Sequence, residues 1–112
     1  MTKEKFLGEF ELIVLGALLH LGRDAYGVSI IDEIATRSNR RVSVGALYAT
    51  LNRLEKKGFV TSSMGEASAV SGGRAKRYFH VTQEGVSQVE RSSAMLHSMM
   101  SGLAAWTKGS LA

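Results

Sequence analysis

Between Val42 and Thr82 the chain reads VSVGALYATLNRLEKKGFVTSSMGEASAVSGGRAKRYFHVT, and the order of patterns in this stretch decides the fold. Ser43 is a good helix N-cap, because its hydroxyl can accept one of the backbone N–H groups that a helix start leaves unpaired. Behind it Val44, Leu47, Leu51 and Leu54 recur at i, i+3, i+7 and i+10, the spacing of one buried stripe, and Gly58 supplies the stop. At about 100° per residue the opposite face carries Ala46, Ala49, Arg53, Lys56 and Lys57, with Thr50 and Gly45 at its margins. Phe59 to Met64 and Arg77 to Val81 are short β-prone runs. In the second, Phe79 and Val81 face one way and Tyr78 and His80 the other, as a ribbon with one face on the helices requires. Between them Gly65 to Lys76 is rich in Gly, Ala and Ser, and too long for a tight turn.

Charge is concentrated in the same region. Nine of the 14 Lys and Arg residues lie between Arg37 and Arg77, against only Glu55 and Glu66, so this segment is net +7 and the rest of the chain net −3. Such asymmetry points to a polyanionic partner, nucleic acid ahead of anionic lipid. A helix with small residues near its start and cations near its end can lie close in a major groove and grip phosphates beside it. The same pattern also suits a solvated basic face complementing the helix dipole.

Outward from this stretch the rest reads as helix. Phe6, Phe10, Ile13, Val14, Ala17, Leu18 and Leu21 recur at helical spacing, while Leu7, Leu12, Leu15 and Leu19 fill much of the remaining circumference. A helix apolar nearly all round needs cover on more than one side. Gly22 is suited to a positive-φ cap and Asp24 to start a second helix over about residues 25–36, which buries Val28, Ile31, Ile34 and Ala35. Thr82 can cap a last helix with Glu84 in its first turn. There Val86, Val89, Ser93, Leu96, Met100 and Leu103 follow a 3-4-3-4 heptad seam. The seam predicts dimerisation, with Phe10 and Val14 of the first helix sharing the interface; the alternative is a terminal helix folded back on its own domain. From Ala104 onward the helix is expected to fray. The expectation is a mainly α winged helix-turn-helix with a small two-stranded β-wing. Residues 1–82 form the DNA-binding domain and 83–112 the dimerisation helix of a homodimer built through the N- and C-terminal helices.

A chain of 112 residues is about one domain, for which a second copy is a plausible source of extra core. It has no cysteine, hence no disulfide framework, thiolate metal site or thiol nucleophile. The apolar run from Leu12 to Leu21 is too short to span a bilayer and lacks the features of a secretory signal, so a cytoplasmic protein without a membrane partner is expected. His20, His80 and His97 are scattered without ligand spacing. No metal, cofactor or catalytic constellation is expected.

The chain resembles the PadR family of bacterial transcriptional regulators in its short form, from about Leu7 to Leu103. The resemblance rests on Ala25-Tyr26-Gly27, on Val44-Gly45-Ala46-Leu47-Tyr48 running on to Leu54-Glu55-Lys56-Lys57-Gly58, and on Gly72-Gly73-Arg74 leading to Arg77-Tyr78-Phe79-His80-Val81-Thr82 and Gly85. Val81 and Phe79 are mild departures from the family pattern. The resemblance implies a homodimer whose third helices enter successive major grooves of a pseudo-palindrome in double-stranded DNA, while the wings touch flanking phosphates or the minor groove. Carried onto this sequence, the helix contacts are Ser43, Ala46, Tyr48, Ala49, Thr50 and Arg53, with Lys57 beside them, and the wing contacts are Arg74 and Lys76. Tyr48 is either a phosphate contact or an aromatic packing residue, and Arg53 either a base contact or a phosphate contact. Some short members hold flat aromatic compounds between two tryptophans of the last helices. Here Leu96 falls at that position and the only tryptophan, Trp106, lies almost three turns later, so that site is not carried over. A small hydrophobic effector lined by Leu96, Met99 and Met100 stays open beside simple interface packing by the same residues. The leading function is a repressor; the rivals are a winged-helix protein-interaction module and a nonspecific architectural DNA-binding protein.

Overall fold

The computed structural model describes residues 7–65 and 75–103. Four helices and one antiparallel pair of strands follow in the order α1 (Glu9–Leu21), α2 (Gly27–Ser38), α3 (Val44–Lys56), β1 (Val60–Met64), β2 (Arg77–Val81) and α4 (Gln83–Met100), with a 3-10 turn at Gly22–Asp24. This is the winged-helix arrangement expected from the sequence. The strands pair from Val60↔Val81 to Met64↔Arg77. Residues 66–74 of the expected loop from Gly65 to Lys76, and the fraying expected from Ala104 onward, lie outside the described residues, as do Phe6 and Trp106.

Local chemistry explains the boundaries. Gly8 caps α1, and its N–H donates to Glu11 Oε1 at 3.0 Å. Gly22 ends the helix at φ 61°, a conformation that costs other residues energy. Asp24 does not start α2. It belongs to the 3-10 turn, and the helix is entered at Tyr26, whose N–H donates to Ser29 Oγ at 3.0 Å. Ser43 caps α3 by accepting the Ala46 N–H at 3.1 Å, and Thr82 caps α4 by accepting the Gly85 N–H at 3.1 Å.

The core gathers Val14, Leu15, Ala17 and Leu18 of α1, Ile30 and Ile34 of α2, Leu47, Leu51 and Leu54 of α3, and Ala25, Val60 and Phe79. Phe79 pins β2 against the helices, as its alternation predicts, and its N–H donates to the Ala25 carbonyl at 2.9 Å. Three expectations are corrected here. On α2 the buried stripe is Ile30 and Ile34 with Ile31 half-buried, while Val28 and Ala35 face outward. Val44 is exposed, on the wall of an open cavity it shares with Val28, Ile31, Tyr48 and Met64. Val14 is wholly buried within its own chain, so it cannot also form a dimer surface.

Candidate nucleic-acid interface

Helix α3 presents its polar side outward because Leu47, Leu51 and Leu54 anchor the opposite side. Ser43, Ala46, Ala49 and Arg53 are all exposed on it. The only carboxylate of α3, Glu55, is turned toward the ribbon, where Arg77 Nη2 donates to it at 3.0 Å and Ser62 Oγ at 2.8 Å. No carboxylate of α3 itself therefore shares the outward face with Arg53 and Lys56.

The predicted residues are not all placed there. Thr50 is 2% exposed, and its hydroxyl accepts from Arg53 Nη2 at 3.1 Å. It supports Arg53 and is removed from the set of groove contacts. Tyr48 is half-buried. Its ring meets Phe79 edge-on at a centroid distance of 6.0 Å, and its hydroxyl lies where a Cβ on Gly27 would come within 2.8 Å. Gly27 thus leaves the room that the phenol occupies, and the ring packs between α2, α3 and β2. Lys57 Nζ donates to Glu11 Oε2 at 2.8 Å, and Arg53 Nε stands 3.8 Å from the same oxygen. Burial works against the charge of Glu11. The Lys57 hydrogen bond, the Gly8 N–H and the charges of Lys57 and Arg53 outweigh it, and hold the carboxyl below the usual carboxylate range.

At the wing root, Lys76 Nζ sits 4.2 Å from the Tyr26 ring centroid, and Tyr26 meets Tyr78 edge-on at 5.6 Å. The wing is thereby docked on the entry to α2. Arg74 lies outside the described residues.

Three further exposed residues lie on or beside this face. Asn52 lies on the outward face, three residues after Ala49 and four before Lys56, so helical projection alone would have found it. Lys56, seen on that face, was left out of the contact set. Arg41 stands in the turn before α3, next to Phe10, Val42, Ser43 and Ala46, and forms no ion pair among the described residues. Its neighbour Arg40 is engaged, with Nη1 on Glu9 at 2.9 Å and the guanidinium 5.2 Å from the Phe10 ring centroid. Phe10, assigned to the dimer surface, is therefore partly covered from within.

On α4 the residues of the predicted seam divide. Val89 is half-buried and Leu103 intermediate, whereas Val86, Ser93, Leu96 and Met100 are exposed, as is Met99. No helix among the described residues is long and apolar enough to cross a membrane. No group of three or more His, Cys, Asp or Glu among them is placed to hold a metal ion.

A helix-turn-helix with a basic outward helix and a docked β-ribbon defines a winged-helix protein. The chain belongs to the PadR-like family of transcriptional regulators, whose family model matches residues 14–91. A protein of Lysinibacillus sphaericus described as "Uncharacterized protein X" is 34% identical over 80 residues, covering 70% of this chain and 69% of the relative. A PadR family transcription regulator from hypervirulent Clostridium difficile R20291 superposes with a TM-score of 0.75 at 23% identity, covering 89% of this chain and 99% of that one. F93 from STIV, a winged-helix DNA-binding protein, gives a TM-score of 0.69 at 19% identity over 88% of this chain and 98% of its own. At these identities the two structures share its fold.

Proposed function

We propose that this regulator binds a pseudo-palindromic operator as a homodimer, reads its sequence through α3, and represses transcription from it. The observation that carries the reading is the outward face of α3. Small side chains at Gly45, Ala46 and Ala49 let the helix backbone approach base edges, and Asn52, Arg53 and Lys56 follow at the far end. Arg41 at the start of α3 and Lys76 at the wing root flank that face as phosphate contacts. Arg53 is the base reader: a guanidinium matches the O6 and N7 acceptors of guanine, and Asn52 matches adenine. The exposed apolar side chains of α4, Leu96, Met99 and Met100, supply the dimer surface, which sets half-sites about one helical turn apart.

Selection of bound duplexes from a random library, for the parent and for Arg53→Ala at matched salt, tests this. The expected result is an inverted repeat whose consensus loosens at one position per half-site in the variant, with a cost of about 1 to 3 kcal/mol. Binding without any consensus would favour an architectural role, and no binding at low salt would favour a protein-interaction module.

A further inference from the structure

Glu11 lies in the first turn of α1, far in sequence from the outward helix, yet its carboxylate is the hub of that helix's cation cluster. Oε1 accepts the Gly8 N–H at 3.0 Å. Oε2 accepts from Lys57 Nζ at 2.8 Å and faces Arg53 Nε at 3.8 Å. The Glu11 side chain is only 10% exposed, whereas that of Lys57 is 30% exposed and that of Arg53 54%. A DNA phosphate therefore cannot displace the carboxylate from outside; it can only compete for the cations. Arg53 is held along one edge, with Nε toward Glu11 and Nη2 donating to Thr50 Oγ1 at 3.1 Å. Its Nη1 hydrogens and the second Nη2 hydrogen stay free, and these form the end of the guanidinium fork that a bidentate partner uses.

We infer that Glu11 is a specificity-determining positioning residue, withdrawing Lys57 from the DNA backbone and aiming the free end of Arg53 at a base edge. The inference rests on the DNA-reading role proposed above. A cation already neutralised inside the protein releases no counterion from DNA, so Lys57 adds little sequence-independent affinity. An arginine hydrogen-bonded to Thr50 and drawn by charge toward Glu11 loses less freedom on docking than a free one, and the benefit falls on the cognate base alone.

Glu11→Gln tests this, because its side-chain carbonyl still accepts the Gly8 N–H while the negative charge is lost. Affinity is measured against salt on the selected operator and on a scrambled duplex of equal length. Freed Lys57 should steepen both log–log slopes by about 0.9 per protomer and raise scrambled-duplex affinity roughly fivefold to tenfold per protomer at 0.1 M salt. Loosened Arg53 should lower the operator-to-scrambled ratio by roughly tenfold. Unchanged slopes and ratio, with the parent still discriminating, overturn the inference and leave the DNA-reading role standing. A parent that does not discriminate overturns both. Lys57→Gln in the otherwise unaltered chain decides the matter even where Glu11→Gln fails to fold. Its salt slope should equal the parent's, and a fall of about 0.9 per protomer would mean that Lys57 grips phosphate despite Glu11.

Discussion

Replacing Gly85 by alanine sets two local rules against each other, and the structure decides the sign. Gly85 lies in the first turn of α4, where helix propensity on its own favours alanine by up to about 1 kcal/mol. A Cβ there would stand 2.3 Å from the Phe59 carbonyl oxygen and 2.7 Å from Val81 Cγ1. The Val81 methyl can turn aside, but the carbonyl cannot, since it accepts the Thr82 N–H at 3.0 Å. Thr82 in turn donates its hydroxyl to the Gly58 carbonyl at 2.7 Å and accepts the Gly85 N–H at 3.1 Å. An ordinary carbon-to-oxygen approach is about 3.3 Å, so α4 must retreat by about 1 Å from a junction that these three bonds hold. Overpacking of this kind costs about 1 to 3 kcal/mol, and a distorted cap adds about 1 kcal/mol. Against the propensity gain, the expected net loss is about 1 to 3 kcal/mol, a fall in Tm of roughly 4 to 24 °C for a domain of this size. Urea unfolding followed by circular dichroism, at one fixed chain concentration because association adds stability, should give a lower midpoint at unchanged slope. A Gly85→Ala protein as stable as its parent, or more stable, would refute the packing argument.

Other expectations follow from the same contacts. At Gly45 an added Cβ meets nothing within 4 Å, so Gly45→Ala should raise stability by up to about 1 kcal/mol in the same urea assay. Because that methyl would stand between the α3 backbone and the groove, operator affinity in an anisotropy titration should fall. Glu11, held below its ordinary value, stabilises the fold fully above its unfolded pKa of about 4.3, and the contribution is lost as pH falls through the lowered folded value. The stability gap between the parent and Glu11→Gln should therefore shrink on acidification from pH 6 to pH 3; a gap independent of pH would contradict the ion cluster. Leu96→Glu, on the exposed side of α4, should shift sedimentation equilibrium toward monomer while leaving the far-ultraviolet spectrum of the protomer intact.

The elements were legible because each is marked by local chemistry that the tertiary structure does not override. Ser43 and Thr82 cap the helices they were expected to cap, and the alternation around Phe79 locates β2 to the residue. What escaped is which of two admissible faces α2 buries, and α4 with it. In α2 the apolar residues Val28, Ile30, Ile31, Ile34 and Ala35 offer two overlapping stripes, and only the positions of α1 and α3 select Ile30 and Ile34. Thr50 is carried over as a groove contact by the family resemblance, and helical projection, which places it at the margin of the polar face, does not exclude it. Its burial is a matter of tertiary packing, a long-range fact with no local mark. Glu11 was hidden for the same reason, since its partner Lys57 lies 46 positions away.

The last helix shows why periodicity of large side chains is a poor guide to what touches what. Toward its own domain α4 buries Gly85 and Ser92, residues that no hydrophobic pattern counts, with Val89 beside them. Small residues let α4 lie close to the ribbon and to α1. The large side chains at Leu96, Met99 and Met100 are consequently left on the outside, where leaving apolar area in water forgoes about 25 cal/mol for each Å² that a second copy would cover. If that second copy seats against α1 as well as α4, its position is transmitted directly to the outward helix. α1 is a continuous helix of 13 residues, and Glu11, fixed in its first turn, bears on Arg53 and Lys57.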